Sequence, residues 1–576
     1  TSVVYISHGC ICSHKNAGLP RNFSSCLQDS CAQAQWSLAP YVVKAGGYCQ
    51  SSLTFLRSPS PGTHHNQLSG LWHPTWSRQA AIVRALSPSC EVHHLAHITI
   101  SGRKLSGTAD MTSLWYFSSP LDWRWITTTI VFAVTYLLGR FYYHVSKYPK
   151  GPVPFPLVGN LLALRNVTDL HAKSTEWSKT YGDVFTLWMA HRPMVMLNSY
   201  TVIREALVQR RHDFAGRFPT RSGALQNQGN HDIVFEDYNP CCKALRKVAL
   251  SAVRQYAASK SLEKLCTDIV DAFADSLKEG PQVMDLRKPI FSLLCKIIGV
   301  SIYGTRLYEE KEDIQRLEDF NRRFYEISPN GLPSDIAPFL AVLYYKKEKR
   351  MAALFSELGE VIRRLFSKAE ETYSPGNTEN FTHAILAARE EAIKEDRADA
   401  QYLTKDNMIL VTMNLLDAGS DTSTGTLQWL LLHMTKEPSI QTRIQKEIED
   451  NIGSVPPVYG DREKLPFTVA CLLETLRMHP AAPLGLPHNT TTGTRVGKWD
   501  IPKDTGMLYN IYAVHHDPEN WEKPEEFRPE RFLDPVTGKV RTDTGPLITF
   551  GQGARSCPGE KLAHADMFYI LVRLLQ

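Results

Sequence analysis

Apolar and polar positions along this chain follow several rhythms, and each predicts a different element. Residues 125–139, WITTTIVFAVTYLLG, carry no charge over fifteen positions. Phe141, Tyr142 and Tyr143 extend the run past Arg140, whose stem can lie on apolar surface while its head reaches water. The run approaches the ~20 residues that cross a bilayer, and aromatics flank it as membrane interfaces prefer. The pattern therefore predicts one N-terminal transmembrane helix. A buried core helix or a cleaved signal sequence is the alternative, though no small-residue cleavage site follows. Arg140, Lys147 and Lys150 follow the run against Arg124 before it, which places the large C-terminal part on the cytosolic side.

Four prolines (149, 152, 154 and 156) then predict a stiff extended segment over 148–160. Residues 183–189 and 193–197 read as strands around a turn at His191 and Arg192. From about 240 to 450, apolar positions three and four apart predict helices. Short strand-like pieces return near 490–512, among turn signals, and no internal repeat is present. The fold class is mainly α with small β-sheets, behind one membrane helix.

Composition divides the chain further. Residues 1–110 hold eight Lys/Arg against three acids, six of the twelve cysteines, and no methionine before Met111. That stretch lacks hydrophobic periodicity and is expected to be disordered translated non-coding or leader sequence. A mitochondrial transit peptide, with the inner membrane as its destination, is the alternative. No secretory signal or regular spacing makes its cysteines a disulfide module. The remainder has 56 basic and 56 acidic residues, so nucleic-acid binding has no electrostatic support. The expected organisation is a leader at 1–110, an anchor at 111–147, a hinge at 148–160 and a catalytic domain at 161–576.

The chemistry concentrates in one loop. Phe550, Gly551, Gly553, Arg555, Cys557 and Gly559 stand just before an apolar helical run. A thiolate is the nucleophilic and metal-binding form of cysteine, and cationic neighbours and a helix N-terminus favour it. The three glycines allow turns and close backbone approach. Phe550 can cover the sulfur, and Arg555 can meet a carboxylate in bidentate fashion. The alternative is a structural cysteine in a turn.

Earlier, Ala418, Gly419, Ser420, Asp421, Thr422 and Ser423 interrupt a helical stretch at roughly 405–436 with weak helix formers. Such a turn can open toward a ligand, or can be a kink with back-bonded hydroxyls. Glu474 and Arg477, at i and i+3, share a helical face.

The pattern F-x-x-G-x-R-x-C-x-G at 550–559 resembles the haem-binding loop of cytochrome P-450, and the proline-rich hinge behind an anchor resembles the microsomal members. The resemblance covers roughly 111–576. It implies haem b with Cys557 as axial thiolate ligand to the metal. Phe550, Gly551, Gly553, Gly559, Ala418 and Gly419 would line the cofactor. Arg555, Arg246 and His488 would meet its propionates. Thr422 would hold dioxygen and a water, and Asp421 would supply protons. Glu474, Arg477 and Arg531 match the family's structural ion triad.

Two departures stand out. Cys242 occupies the family's usual tryptophan position, and the chain stops at Gln576, inside the helix after Cys557, which reads as a C-terminal truncation. The implied activity is insertion of one oxygen atom of O2 into an apolar steroid-like or aromatic molecule. No NADPH fingerprint is present, so NADPH-cytochrome P-450 reductase, with cytochrome b5 as a second donor, would supply electrons. The endoplasmic reticulum membrane would be the location. Among members, the steroid 17-alpha-hydroxylase and aryl-hydrocarbon hydroxylase group is nearest. A haem-thiolate isomerase or dehydratase, or a non-catalytic haem-binding protein, is the alternative.

Overall fold

The computed structural model describes residues 2–7, 10–15, 123–256, 260–276, 285–304, 311–328 and 331–576. The chain divides into two compact units, residues 51–137 and the remainder. Within the expected leader, strands β1 (Ser2–Ser7) and β2 (Cys10–Lys15) pair antiparallel. The rest of 1–110 lies outside the described residues.

The helix Trp123–Val145 forms, and none of its residues is buried. Among the described residues, however, no helix is long and apolar enough to cross a membrane, which corrects the expected transmembrane span. The reason is composition. Arg124 and Arg140 flank the charge-free run, which itself carries four threonines, among them Thr127, Thr128 and Thr129, whose hydroxyls bond the carbonyls of Arg124 and Trp125.

At the C-terminal end of the helix, Phe141 and His144, with Tyr148 just beyond it, surround Trp188, with ring centroids 5.9, 5.4 and 5.4 Å away. Prolines in the hinge lack the N–H that would pair it to a strand. Asn160 supplies the tie instead. Its amide nitrogen reaches the carbonyls of Pro152 and Val153, and its oxygen accepts from Trp188 N at 2.7 Å.

Strands β3 (Val184–Met189) and β4 (Arg192–Leu197) form an antiparallel hairpin close to the pair read from sequence. They join β5 (Gly216–Arg217), β6 (His488–Asn489) and β9 (Gly506–Tyr509) in the order β3-β4-β9-β6-β5. Only the β4–β9 pair is parallel. Strands β7 (Thr494–Val496) and β8 (Trp499–Ile501) make a separate hairpin. Phe185, Leu187, Met194 and Met196 fill one face of the sheet, while Val184, Val195, Leu197 and Tyr509 fill the other. Both faces are buried, so β3, β4 and β9 are mostly apolar.

A larger core holds the helices together. At its centre runs the helix Lys405–Lys436, capped by Thr404 Oγ1, which accepts from Asn407 N. It packs along the helix Arg287–Tyr303. The helix Tyr345–Glu371 buries Met351, Leu354, Phe355, Leu358 and Ile362, the stripe that a helical period predicts. The last helix, Glu560–Leu575, packs on Lys260–Ser276, with Arg573 bridging to Asp271 at 2.6 and 2.9 Å.

Candidate active site

Cys557 lies between the helical turn Gly553–Arg555 and the helix Glu560–Leu575. Its amide donates to Phe550 O at 2.8 Å, which closes the loop. Gly551 and Gly553 take φ of 68° and 74°, where side chains are strained. A Cβ on Gly553 would also stand 1.7 Å from Leu207 O. Gly559 has no such need, because its φ is −89° and a Cβ there would meet Cys557 Sγ at 3.9 Å. The close approach expected of all three glycines therefore belongs to two. Gly553→Ala should cost about 1–3 kcal/mol from backbone strain, before the collision is counted. A thermal melt checks this, and an unchanged midpoint would contradict the tight docking of the loop on Leu207.

Burial pushes the Cys557 thiol up. The amides of Gly559 and Glu560 and the Arg246 guanidinium pull it down, and the Glu560 carboxylate opposes them. Burial wins. The cationic neighbour and the helix start read from sequence are both present, and both act to lower the thiol. Phe550 contributes its carbonyl to the loop, and its ring packs against His564, with centroids 5.0 Å apart.

Beside the cysteine, four basic side chains are buried together: Arg217, Arg246, Arg555 and His488. Arg555 donates to Ala215 O at 2.8 Å, Glu236 O at 2.6 Å and Cys242 Sγ at 2.9 Å. Arg246 donates to Ser556 O at 2.6 Å. Arg217 donates through Nε to Val234 O, while its buried Nη1 has no partner. Among the described residues, the acceptors of these guanidinium groups are carbonyls and one thiol, and none is a carboxylate.

The carboxylate expected opposite Arg555 is therefore not a protein group. Burial, then the neighbouring guanidinium groups, holds Arg217 down to about 9. Burial and the same arginines push His488 well below its usual range. His488 Nδ1 lies 2.6 Å from Phe214 O, which keeps the proton there and leaves Nε2 an acceptor until an anion draws a second one. Concentrated buried positive charge is costly without a partner, so the cluster is built for an anion.

Sequence reasoning missed Arg217. It sits in a two-residue strand and faces His488 across the sheet, a pairing that no local spacing reveals. Its only signal was an arginine after Phe214, Ala215 and Gly216. Cys242 is fully buried at the tryptophan position, and its thiol takes one Arg555 hydrogen bond.

The helix Lys405–Lys436 runs unbroken through residues 418–424, so the weak turn does not open it. The hydroxyls of Ser420, Thr422, Thr424 and Thr426 satisfy themselves on the carbonyl four residues back. Ala418 and Thr422 are nonetheless exposed, while Ser420, Ser423 and Leu427 are buried. Gly419 lies against Ile298, whose Cδ1 a Cβ would approach to 2.9 Å. The hydroxyl of Tyr325 donates to Asp421 Oδ2. The helix thus presents a polar open strip with an acid beside it.

Glu474 is fully buried and accepts from Arg477 Nε at 2.8 Å and Nη2 at 2.9 Å, and from Arg531 Nε at 3.0 Å. Arg477 also donates to His515 O at 2.6 Å. His515 accepts in turn from Ile548 N at 3.0 Å, just ahead of the cysteine loop. Burial holds His515 down to about 3, as a ring that must accept at one nitrogen requires.

Residues 149–576 match the family model of cytochrome P450. The steroid 17-alpha-hydroxylase/17,20 lyase of Peromyscus leucopus is 30% identical over 437 residues, covering 75% of this chain and 86% of its own. The Rattus norvegicus protein of that name is 28% identical over 450 residues, with coverage of 76% and 89%. A solved zebrafish cytochrome P450 with progesterone superposes with a TM-score of 0.63 at 27% identity, covering 71% of this chain and 92% of that one.

Proposed function

The chain belongs to the cytochrome P450 family and is a monooxygenase of it, and we propose that it hydroxylates a steroid or steroid-like apolar molecule at a haem ligated by Cys557. The observation that carries this reading is the buried basic cluster beside the Cys557 loop, with Arg217 Nη1 unpartnered. Two propionates would supply the anions that the cluster lacks. Arg217, Arg246 and Arg555 would hold them, and His488 would gain a proton as they arrive. When bound, the haem would supply dioxygen activation, with the Cys557 sulfur donating electron density to it. The steroid assignment rests on the names of the relatives and on progesterone in the zebrafish structure.

On the helix Lys405–Lys436, Thr422 would orient water and protons at the open strip, and Asp421 would feed it. A positioned proton donor is worth about 10²–10⁴-fold. Thr422→Ala should therefore lower product formed per NADPH consumed by about tenfold or more. Equal coupling in variant and parent would remove Thr422 from this role.

Electrons would come from NADPH-cytochrome P450 reductase, with cytochrome b5 as a second donor. For location we propose the cytosolic face of the endoplasmic reticulum membrane. Exposed Val153, Phe155 and Leu157 in the hinge, and exposed Phe339, Val342 and Leu343, support contact with lipid.

The test is a titration of the ferric protein with progesterone, followed by turnover with reductase and NADPH. A saturable Soret shift and a hydroxylated product are expected. Product formed without NADPH would indicate an isomerase or dehydratase instead.

A further inference from the structure

A thiol stands inside the basic cluster, and the monooxygenase reading gives it no part. Cys242 lies in the first turn of the helix Pro240–Tyr256, where Asn239 Oδ1 accepts from its amide at 2.8 Å. Arg246, one turn further on, shares its helical face. Lys243, between them, is exposed and lies over the Tyr238 ring, 4.5 Å from its centroid. The helix therefore carries a thiol and a guanidinium inward together. Neither has solvent to turn to, because both are buried.

The hydrogen bonds around the sulfur fix what it can still do. A thiol accepts weakly at sulfur and donates weakly through its one hydrogen. Cys242 Sγ accepts from Arg555 Nη1 at 2.9 Å. Ala215 O and Glu236 O hold the other two nitrogens of that guanidinium, so the sulfur completes the setting of its plane. Among the described residues, no group accepts the thiol hydrogen. A second unspent donor stands in the same cluster, the buried Nη1 of Arg217. The charges of Arg555, Arg246 and Arg217 all bear on the Cys242 thiol, which ties the two donors to one place.

We propose that Cys242 is a haem-binding residue: its sulfur fixes the Arg555 guanidinium, and its S–H donates to a carboxylate of the cofactor. The inference rests on the monooxygenase reading, which puts the propionates in this cluster. A carboxylate offers about four lone-pair sites, so it can take a thiol besides its guanidinium partners. The sulfur keeps its proton for the purpose. Burial raises the thiol against the pull of the three arginines, and an arriving anion acts in the same direction. Cys242 thus adds no charge to the cluster. It adds direction, by marking where one carboxylate oxygen lies.

The experiment uses the haem-loaded full chain in two readouts. Resonance Raman spectra contain a propionate bending mode that moves with the hydrogen bonds the propionates accept. Transfer of haem to apomyoglobin gives the rate of haem loss. Cys242→Ala should shift the mode and speed haem loss by about tenfold or more, the effect of losing one hydrogen bond to a charged group. Cys242→Ser keeps a donor and an acceptor, so it should restore both mode and rate. A cysteine that only fills space would loosen haem in C242A without moving the mode. An unmoved mode in C242A, or a C242S that behaves as C242A does, overturns the inference. Should C242A hold no haem, C242S decides alone, and its mode and rate must match the parent. The parent's reduced carbon-monoxide complex separates the two readings. If it is of thiolate type and the variants fail these expectations, only the role of Cys242 falls, whereas its absence sinks both.

Discussion

Cys557→Ala should yield a folded protein that forms no thiolate-type carbon-monoxide complex and no detectable hydroxylated product. The two halves of that expectation have separate causes. The loop is closed through the backbone, by Cys557 N on Phe550 O and by Gly551 N on Ile548 O at 2.9 Å, and neither bond needs the sulfur. Cys557 is only partly buried, so losing its Sγ opens little cavity. The chemistry, by contrast, has no substitute. The other described cysteines, 241, 242, 266, 295 and 471, are buried, whereas Cys557 keeps part of its surface open in the loop beside the basic cluster.

The measurement is the difference spectrum of the dithionite-reduced protein with carbon monoxide, read beside far-ultraviolet circular dichroism. The parent should give the red-shifted Soret band of thiolate ligation, and C557A should give none at unchanged helicity. A thiolate-type band surviving in C557A would assign the ligand to another cysteine. Loss of helicity in step with the band would mean that the sulfur also carries structure.

The sequence made some of this site legible because part of its geometry is local. Cys557, Gly553 and Phe550 act within ten residues of one another, so their spacing is the geometry. Glu474 and Arg477 meet because i and i+3 lie on one face. The helix Lys405–Lys436 could be bounded because its apolar period persists through its weak turn.

What stayed hidden depends on long-range pairing. Arg217 reaches the basic cluster only because β5 pairs with β6, and His488 arrives through the same pairing. Asp421 carried no sign in sequence of Tyr325, which the helix Lys311–Ile327 brings against it from 96 positions away. The membrane helix was over-read for another reason. A charge-free run of fifteen residues suggests a span, but its hydroxyls and flanking arginines lower its mean hydropathy, and only the average decides.

Glu474→Ala should destabilise the fold more than any other single change proposed for this chain. Glu474 has no exposed surface and accepts four hydrogen bonds: two from Arg477, one from Arg531 and one from Arg528 N at 2.9 Å. Alanine would leave Arg477 charged and buried, with only carbonyl partners at His515, Pro524 and Glu526. Breaking such a pair from one side costs about 3–5 kcal/mol. Set against a typical total of about 5–15 kcal/mol, that is a third or more of the stability.

The damage should also spread in a definite direction. Arg477 O lies 2.9 Å from His515 Nδ1, His515 Nε2 accepts from Ile548 N, and Thr549 Oγ1 donates to Leu476 O. These three bonds tie the residues just ahead of Phe550 to the helix Pro466–Met478, which carries Glu474 and Arg477. An exposed pair provides the control. Arg443 and Glu530 meet with about half of each side chain in solvent, and such pairs are worth about 0–1 kcal/mol. Denaturant unfolding of E474A and E530A, followed by circular dichroism and by release of haem, separates the two cases. E474A should unfold at much lower denaturant and lose haem first, and E530A should track the parent. Equal shifts in the two variants would mean that the buried triad contributes no more than a surface ion pair, and that the cysteine loop is held by its backbone bonds alone.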